Sequence, residues 1–195
     1  MDLSGWGFPA VVLIGISSVT LLLSRTWRWR IGALSFQYLG VFVLVSISWP
    51  TDLAAGKLVI GWMAGAILGV SRIDLITPEV RRWPTERLYL IFVASVVFIT
   101  VTTLAPTILD SVPGIDIYQA WGGLLLIGMG LIHMGLASRG LRVIISLLTF
   151  LSGFEILYAV VESSTLVAGL LAFVNIGIAT AGAYLMTEPS LEEVA

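Results

Sequence analysis

Glu155 is the residue whose type and position most need a chemical explanation. It lies well inside an apolar stretch, residues 142–164, that is long enough to cross a bilayer. An ionisable group near the middle of a membrane span costs roughly a few kcal/mol, so such residues usually face a protein interior or a wet cavity and often carry function. Four polar residues share its helix face at a spacing of three or four, namely Thr149, Ser152, Tyr158 and Glu162. We therefore expect chemistry on this stripe.

Lys57 is a second ionisable residue inside an apolar stretch, and its expected depth matches that of Glu155. Lys57 lies roughly 9 Å and Glu155 roughly 10 Å from the same end of the bundle, at 1.5 Å of rise per residue. One interpretation is a proton or ion relay that uses both side chains. The alternatives are a structural pair, or a lysine whose long side chain reaches back to the lipid headgroups.

His133, Gln37 and Asn175 are further polar residues inside apolar stretches. Imidazole titrates near neutrality in water, so His133 could join a proton relay; the alternative is a packing or hydrogen-bonding role. We expect Gln37 and Asn175 to form hydrogen bonds between helices, worth around 1 kcal/mol each. Glu162 is expected to be a solvated helix end. The candidate relay residues are therefore Glu155, Lys57 and His133.

The composition places the chain among membrane proteins. Of its 195 residues, 58% are hydrophobic and 11% are charged, and the mean hydropathy is +1.03. A soluble domain of this length has roughly 25% charged residues. The length corresponds to about one domain. The formal net charge of −2 argues against a nucleic-acid partner, because such a partner requires a clustered basic surface.

Several kinds of site are excluded by residue usage. The chain has no cysteine and one histidine, which excludes disulfides and cysteine nucleophiles and argues against a histidine-rich metal or haem site. No phosphate loop or dinucleotide-binding motif is present, and Ser163 and Ser164 have no histidine partner that suggests a triad. We interpret Asp110 and Asp116 as solvated loop residues. We therefore expect no cofactor, no metal and no intrinsic hydrolase or transferase activity.

Seven stretches approach the length of roughly 20 mostly apolar residues that a helix needs to cross a bilayer. They cover residues 6–24, 31–49, 51–71, 88–105, 120–138, 142–164 and 165–186. A polar link, residues 72–87, follows the third stretch, and Pro106, Pro113 and Gly114 predict a loop after the fourth. The sequence therefore predicts an all-α, polytopic membrane helix bundle with seven transmembrane helices.

The arginines predict the orientation of this bundle. Short loops rich in Lys and Arg stay on the cytoplasmic side of a membrane. All nine arginines fall in alternate loops: Arg25, Arg28, Arg30, Arg72, Arg81, Arg82, Arg87, Arg139 and Arg142. The other loops carry acidic residues: Asp52, Asp110, Asp116 and Glu162. We expect a multi-pass protein of the cytoplasmic membrane with its N-terminus outside and its C-terminus inside.

Tryptophans and glycines add two packing predictions. Five tryptophans lie at or near the ends of the stretches and are interpreted as interfacial anchors: Trp27, Trp29, Trp49, Trp83 and Trp121. Gly61, Gly65 and Gly69 keep a spacing of four and share one helix face, where another backbone could approach closely. The alternative is the ordinary glycine content of membrane helices. Between Gly122 and Gly130, Leu126 interrupts this spacing.

The C-terminal third resembles a known family. Residues 122–161 form an apolar stretch, a short basic turn and a second stretch that holds Gly153, Phe154 and Glu155. This arrangement is similar to the small K-type (chain 4L) subunit of respiratory complex I. The C subunit of multisubunit cation/proton antiporters shares this unit. The E subunit of hydrogenase-4-type membrane hydrogenases also contains it and has extra helices on its N-terminal side. The seven-stretch length looks most like the hydrogenase-4 E type.

The resemblance implies a domain division and a function. Residues 1–118 would hold four N-terminal helices, residues 119–187 the three-helix K-type-like unit, and residues 188–195 an acidic tail. It implies a non-catalytic subunit of a larger redox-driven ion pump that contributes Glu155 to proton or sodium translocation. Its partners would be antiporter-like membrane subunits and the lipid bilayer, and it would bind no redox cofactor. The alternatives are a membrane scaffold or assembly protein, and an independent small transporter.

Overall fold

The computed structural model of the chain is all-helical in the residues it describes, which are 4–24, 26–71, 84–137 and 140–187. A short 3-10 turn, Ser4–Trp6, precedes the first helix. The seven α-helices of this part of the chain are α1 (Gly7–Leu23), α2 (Trp27–Val45), α3 (Thr51–Val70), α4 (Pro84–Ser111), α5 (Ile117–Gly135), α6 (Gly140–Val161) and α7 (Thr165–Thr187). The described residues contain no strand, so the all-α prediction is confirmed.

Five of these helices are long and apolar enough to cross a membrane: α3, α4, α5, α6 and α7. Helix α1 is apolar but has only 17 residues. Helix α2 has two arginines in its first turn and Gln37 near its middle, and these residues lower its hydropathy. In hydrocarbon a helix satisfies its backbone hydrogen bonds internally, which explains why apolar stretches of this length fold as helices. The chain is therefore a multi-pass membrane protein.

Helix α4 is longer than the sequence predicts. Its 28 residues continue through Pro106 and end at Ser111, whereas a loop was expected from Pro106 onward. Proline removes one helical hydrogen bond but is tolerated in membrane helices, where neighbouring groups compensate for the missing donor. Asp110 consequently lies exposed in the last turn of α4 and not in a loop. The actual turn is shorter and uses Gly114, whose φ of 85° suits glycine.

Asp116 also differs from the prediction of a solvated loop residue. Its carboxylate accepts a hydrogen bond of 2.8 Å from the Tyr118 backbone N–H, and the Gln119 side chain accepts one of 3.2 Å from the Asp116 N–H. This capping box begins α5 and satisfies backbone donors that a helix start leaves unpaired. Gln119 then donates to the Leu44 carbonyl at 2.9 Å, which ties the start of α5 to the end of α2.

The helices pack into a bundle with two distinct edges. Helices α1, α2, α5 and α6 contact one another in its centre. Helix α4 packs mainly on α5 at one edge, while α3 and α7 pack on each other and on α2 and α6 at the opposite edge. Helix α7 has the lowest buried share of the five long apolar helices. Both edges therefore present apolar helix faces to the membrane or to partners.

Glycines set the closest contacts between helices. Gly61 of α3 faces the ring of Tyr38 on α2, and Gly65 and Gly69 face Ser35 and Ile31 of the same helix. These glycines therefore form a specific contact between α3 and α2, but they face side chains and not the backbone whose close approach was expected. A tighter contact lies between α5 and α6 and was not predicted. At this contact glycines of both helices lie against the other backbone: Gly123, Gly130 and Gly153.

Replacing Gly153 by alanine is expected to destabilise the bundle. The added Cβ would lie 2.6 Å from the Gly123 carbonyl oxygen and 2.7 Å from the Ile127 amide nitrogen, and backbone atoms cannot move aside as a side chain can. Overpacking of this kind costs about 1–3 kcal/mol. The measurement is thermal unfolding of the purified protein in mild detergent. The matched control is Gly177→Ala on α7, where the new methyl group meets no atom within 4 Å; equal melting temperatures for the two variants would contradict the prediction.

Candidate functional site

The polar stripe of α6 faces the interior of the bundle over three of its predicted members. Thr149, Ser152 and Glu155 are all buried. The hydroxyl groups of Thr149 and Ser152 donate to backbone carbonyls one turn earlier, at 2.9 and 2.8 Å. Both hydroxyls are thus satisfied within their own helix. The other two members differ, because Tyr158 is half-buried and Glu162 is exposed just beyond the helix end, as expected for a solvated helix end.

Glu155 forms an ion pair with Lys57 of α3. The Lys57 Nζ contacts the Glu155 Oε2, and the two side chains retain only 7% and 3% of their accessible surface. The equal depth predicted for these residues is consistent with this contact, and the alternative of a lysine that extends to the headgroups is wrong. An opposite charge at contact distance compensates part of the cost of taking each charge out of water. The pair therefore explains how both charges are held inside the bundle.

Asn175 of α7 supplies the second partner of the carboxylate. Its Nδ2 donates to Glu155 Oε1 at 2.7 Å and to the Leu171 carbonyl at 2.8 Å. Its Oδ1 accepts a hydrogen bond of 3.2 Å from the Tyr38 hydroxyl. Asn175 and Tyr38 have no accessible surface in this structure. The amide therefore links the carboxylate to the phenol, and the hydrogen bond between helices predicted for Asn175 is confirmed.

The resulting polar chain crosses four helices. It consists of Tyr38 on α2, Asn175 on α7, Glu155 on α6 and Lys57 on α3. The ring of Tyr38 occupies the space above Gly61, which has no side chain to displace it. Beside these four residues, the Gln37 Nε2 donates to the Thr149 hydroxyl oxygen at 3.3 Å. The hydrogen bond between helices that was predicted for Gln37 is therefore confirmed. The four helices are thus connected at one level by polar groups as well as by packing.

Three of the four side chains linked in this way are titratable. The carboxyl, ammonium and phenol groups can each release or accept a proton, and the amide holds the carboxylate oxygen in a fixed position. A neutral ion pair buried in an apolar bundle also responds strongly to any charge that approaches it, because the surroundings screen charge weakly. Among the described residues, no three histidine, aspartate or glutamate side chains come together as a metal site.

His133 lies elsewhere in the bundle. It is in the last turn of α5 and lines a small cavity with Arg30, Arg142 and Ile145. Ile145 precedes Glu155 by ten residues on α6, a separation of roughly 15 Å along the helix axis. The structure therefore brings together two of the three candidate relay residues, Glu155 and Lys57. The third, His133 on α5, lies near the start of α6, away from this pair.

Sequence reasoning did not identify Tyr38 as part of the site. It follows Gln37 directly and lies in α2, where an aromatic residue is most simply interpreted as core. Its spacing of seven from Ile31 and Val45 marks a buried face but gives no sign of a polar partner on a helix far along the chain.

Trp49 was predicted as an interfacial anchor, yet it is buried, and its Nε1 donates to the Glu162 carbonyl at 2.9 Å.

Some predictions concern residues outside the described part of the chain. These residues are Arg25, Arg72, Arg81, Arg82, Trp83, Arg139 and the acidic tail 188–195.

Comparisons with protein-family models, with curated proteins and with solved structures find no match to this chain. The resemblance to the K-type and hydrogenase-4 subunits therefore rests on residues 122–161 and on the number of apolar stretches.

Proposed function

We propose that this protein is a small integral membrane subunit of a complex I-like, hydrogenase-like or antiporter-like assembly, and that it contributes to proton or sodium translocation. The observation that carries this proposal is the ion pair between Lys57 and Glu155, buried among apolar helices. Burying two charges is costly even when they are paired, and a well-packed apolar pair is often as stable. A charge pair kept at this level of a membrane bundle is therefore best explained by a use for the charges.

The direction of the polar chain supports a subunit over a self-contained transporter. These linked polar side chains run across the bundle from α2 through α7 and α6 to α3, so they do not connect the two membrane surfaces. Lys57 lies in the second turn of α3, roughly 9 Å from the helix start. An ion path through this site therefore needs further groups on neighbouring subunits, which the exposed apolar faces of α3 and α7 can accommodate.

In the proposed membrane arrangement all seven helices span the cytoplasmic membrane, with the N-terminus outside and the C-terminus inside. The described arginines that support it lie at the starts of α2, α4 and α6: Arg28, Arg30, Arg87 and Arg142. Four acidic residues lie at the opposite helix ends, namely Asp52, Asp110, Asp116 and Glu162, whereas Glu86 lies beside Arg87 at the start of α4. This charge pattern is typical of the positive-inside rule.

The orientation can be tested by cysteine labelling, because the chain has no cysteine of its own. Asp110→Cys and Arg28→Cys place one thiol at exposed positions at opposite helix ends. A membrane-impermeant maleimide is expected to label Asp110→Cys in right-side-out vesicles and Arg28→Cys in inverted vesicles. Labelling of both thiols in the same vesicle type would contradict the seven-span arrangement.

The assembly itself is tested by isolating the protein with its partners. Membranes are solubilised in mild detergent, separated on a native gel, and the bands that contain this chain are identified by mass spectrometry. Co-migration with large multi-span antiporter-like subunits is the expected result. Migration alone would contradict the subunit proposal, and solute uptake by liposomes that contain only this protein would then indicate an independent transporter.

A structural role for the pair is the second candidate, since the charges neutralise each other within one chain and Asn175 further fixes the carboxylate. In that case the protein would act as a scaffold or assembly protein. The two candidates differ in what happens to ion translocation when the charges are removed without loss of stability.

A further inference from the structure

The two oxygens of the Glu155 carboxylate face different partners. Oε2 contacts the ammonium group of Lys57, whereas Oε1 accepts a hydrogen bond of 2.7 Å from the Asn175 Nδ2. An ammonium group can release a proton, but a side-chain amide only donates a hydrogen bond and keeps its protons. The two carboxylate oxygens therefore differ in whether their neighbour can exchange a proton with them.

The Asn175 amide is held in one orientation by two further hydrogen bonds. Its Nδ2 also donates to the Leu171 carbonyl at 2.8 Å, and its Oδ1 accepts a hydrogen bond of 3.2 Å from the Tyr38 hydroxyl. A backbone carbonyl accepts hydrogen bonds and never donates them. If the amide turned over, its oxygen would face both the Leu171 carbonyl and the carboxylate with no hydrogen between them. The group that faces Oε1 is therefore fixed as a donor.

The titratable groups around this carboxylate are few. Lys57 lies on its α3 side, and Tyr38 of α2 lies beyond the Asn175 amide. On α5, Gly123 and Leu126 pack against α6 two residues before Glu155, and neither is titratable. The Glu155 side chain retains only 3% of its accessible surface, so solvent does not replace these neighbours. Among the described residues, Lys57 is thus the titratable group in direct contact with the carboxylate.

We propose that Glu155 exchanges its proton only through the oxygen that faces Lys57, and that Asn175 and Tyr38 are positioning residues that close the other oxygen. This inference rests on the proposed role of Glu155 in translocation. In the exchange step one N–H bond of the Lys57 ammonium breaks and one O–H bond forms at Oε2. The ammonium and carboxylate become a neutral amine and a carboxylic acid, and the amine keeps the electron pair. It can then take up a proton from water or from an acidic group of a neighbouring subunit.

The oxygen that faces Asn175 is closed for two reasons. A proton on that oxygen would point at the amide N–H and remove the hydrogen bond, which disfavours this form by about tenfold or more in a buried site. The proton would also have no onward route, because the Tyr38 hydroxyl already donates to the amide oxygen and a neutral amide does not pass a proton on. Uptake and release therefore both occur at Oε2.

The same arrangement favours a proton over a sodium ion. Hard cations bind oxygen ligands whose lone pairs are available. Both oxygens of Glu155 already face N–H groups, one from Lys57 and one from Asn175. A sodium ion would have to displace the ammonium group, whereas a proton moves between the two groups without displacing either.

Infrared spectroscopy of the purified protein in mild detergent tests the closed oxygen without any translocation. Protonated carboxyl groups give a C=O stretching band as the pH is lowered, and the band of Glu155 is the one that Glu155→Gln removes. We expect Asn175→Leu to shift this band to higher frequency, because the carbonyl oxygen loses the hydrogen bond from the amide. Gln37→Leu is the matched control. It removes a buried amide that donates to Thr149, and should leave the band in place.

Thermal unfolding checks that each variant is folded, and Asn175→Ala replaces Asn175→Leu if the larger side chain prevents folding. An unchanged Glu155 band in the folded Asn175 variant would overturn the proposal. Equal shifts in the Asn175 and Gln37 variants would also overturn it, because the amide next to the carboxyl would then have no particular effect.

Tyr38→Phe separates a positioning residue from a proton carrier. It removes the hydroxyl that donates to Asn175 and keeps the aromatic ring that lies against Gly61. We expect translocation by vesicles that carry the assembly to fall about threefold, the effect of one lost hydrogen bond. Translocation at background would mean that the phenol carries the proton and would overturn the proposal. If Glu155→Gln leaves translocation unchanged, the proposed function fails, whereas the infrared result still decides which oxygen holds the proton.

Discussion

Replacing Lys57 by methionine is expected to lower the free energy of unfolding by about 3–5 kcal/mol, the usual cost of leaving a buried charge without its partner. Methionine matches the length of the lysine stem but carries no charge, so Glu155 keeps only the hydrogen bond from Asn175. Replacing Glu155 by glutamine should cost a similar amount, because Lys57 then loses its partner in turn. Both effects should appear as lower melting temperatures of the purified protein in mild detergent.

The double variant Lys57→Met with Glu155→Gln is expected to regain most of the lost stability. Both charges are gone, and the glutamine oxygen can still accept the hydrogen bond from Asn175. The coupling free energy from the double-mutant cycle should therefore exceed the cost of either single change, which is about 3–5 kcal/mol. A cycle in which the two single effects simply add would mean that the side chains do not interact.

The second large effect concerns ion translocation by the proposed assembly. Glu155→Gln is expected to reduce ion translocation to the background of vesicles that lack the protein, since an amide neither binds nor releases a proton at this site. The measurement is acidification of inverted membrane vesicles from cells that carry the native assembly, followed with a pH-sensitive dye in sodium-free and sodium-containing buffer. The amount of assembled complex in each preparation is measured on a native gel and used to normalise the rates.

Two variants control this experiment. Glu162→Gln makes the same chemical change on an exposed side chain just beyond α6 and should leave translocation unchanged. Glu155→Asp retains a carboxyl group, although it is one methylene shorter, and should retain measurable translocation. Full translocation in Glu155→Gln at a normal level of assembly would exclude a role of this carboxyl in ion movement.

Hydropathy was sufficient to predict the helices, because an apolar chain in lipid has few ways to satisfy its backbone. Sequence patterns were insufficient where one residue type occurs in two kinds of structure. Pro106 marks a loop in most sequences, yet α4 continues through it to Ser111. In the same way, Leu126 interrupts the glycine spacing of α5, but Gly123 and Gly130 are seven residues apart and still share the face that packs on α6.

Depth along a helix predicted that Lys57 and Glu155 lie at one level, but it left open whether the two side chains meet, because depth does not give the direction in which each helix face points. It could not predict the helices that complete the site. Tyr38 and Asn175 are neighbours only because α2 and α7 both pack near α3 and α6, which depends on helix faces that the sequence leaves ambiguous. His133 shows the same limit, since its position near one end was expected but its neighbours Arg30 and Arg142 were not.

The most direct test of the proposed role of the Lys57–Glu155 pair is ion translocation by the assembly that carries the double variant, Lys57→Met with Glu155→Gln. This variant removes both charges but is expected to fold and assemble, so it separates the use of the charges from their effect on stability. A role in translocation predicts normal assembly with translocation at background. Normal assembly with full translocation would contradict that role and leave the pair a structural one.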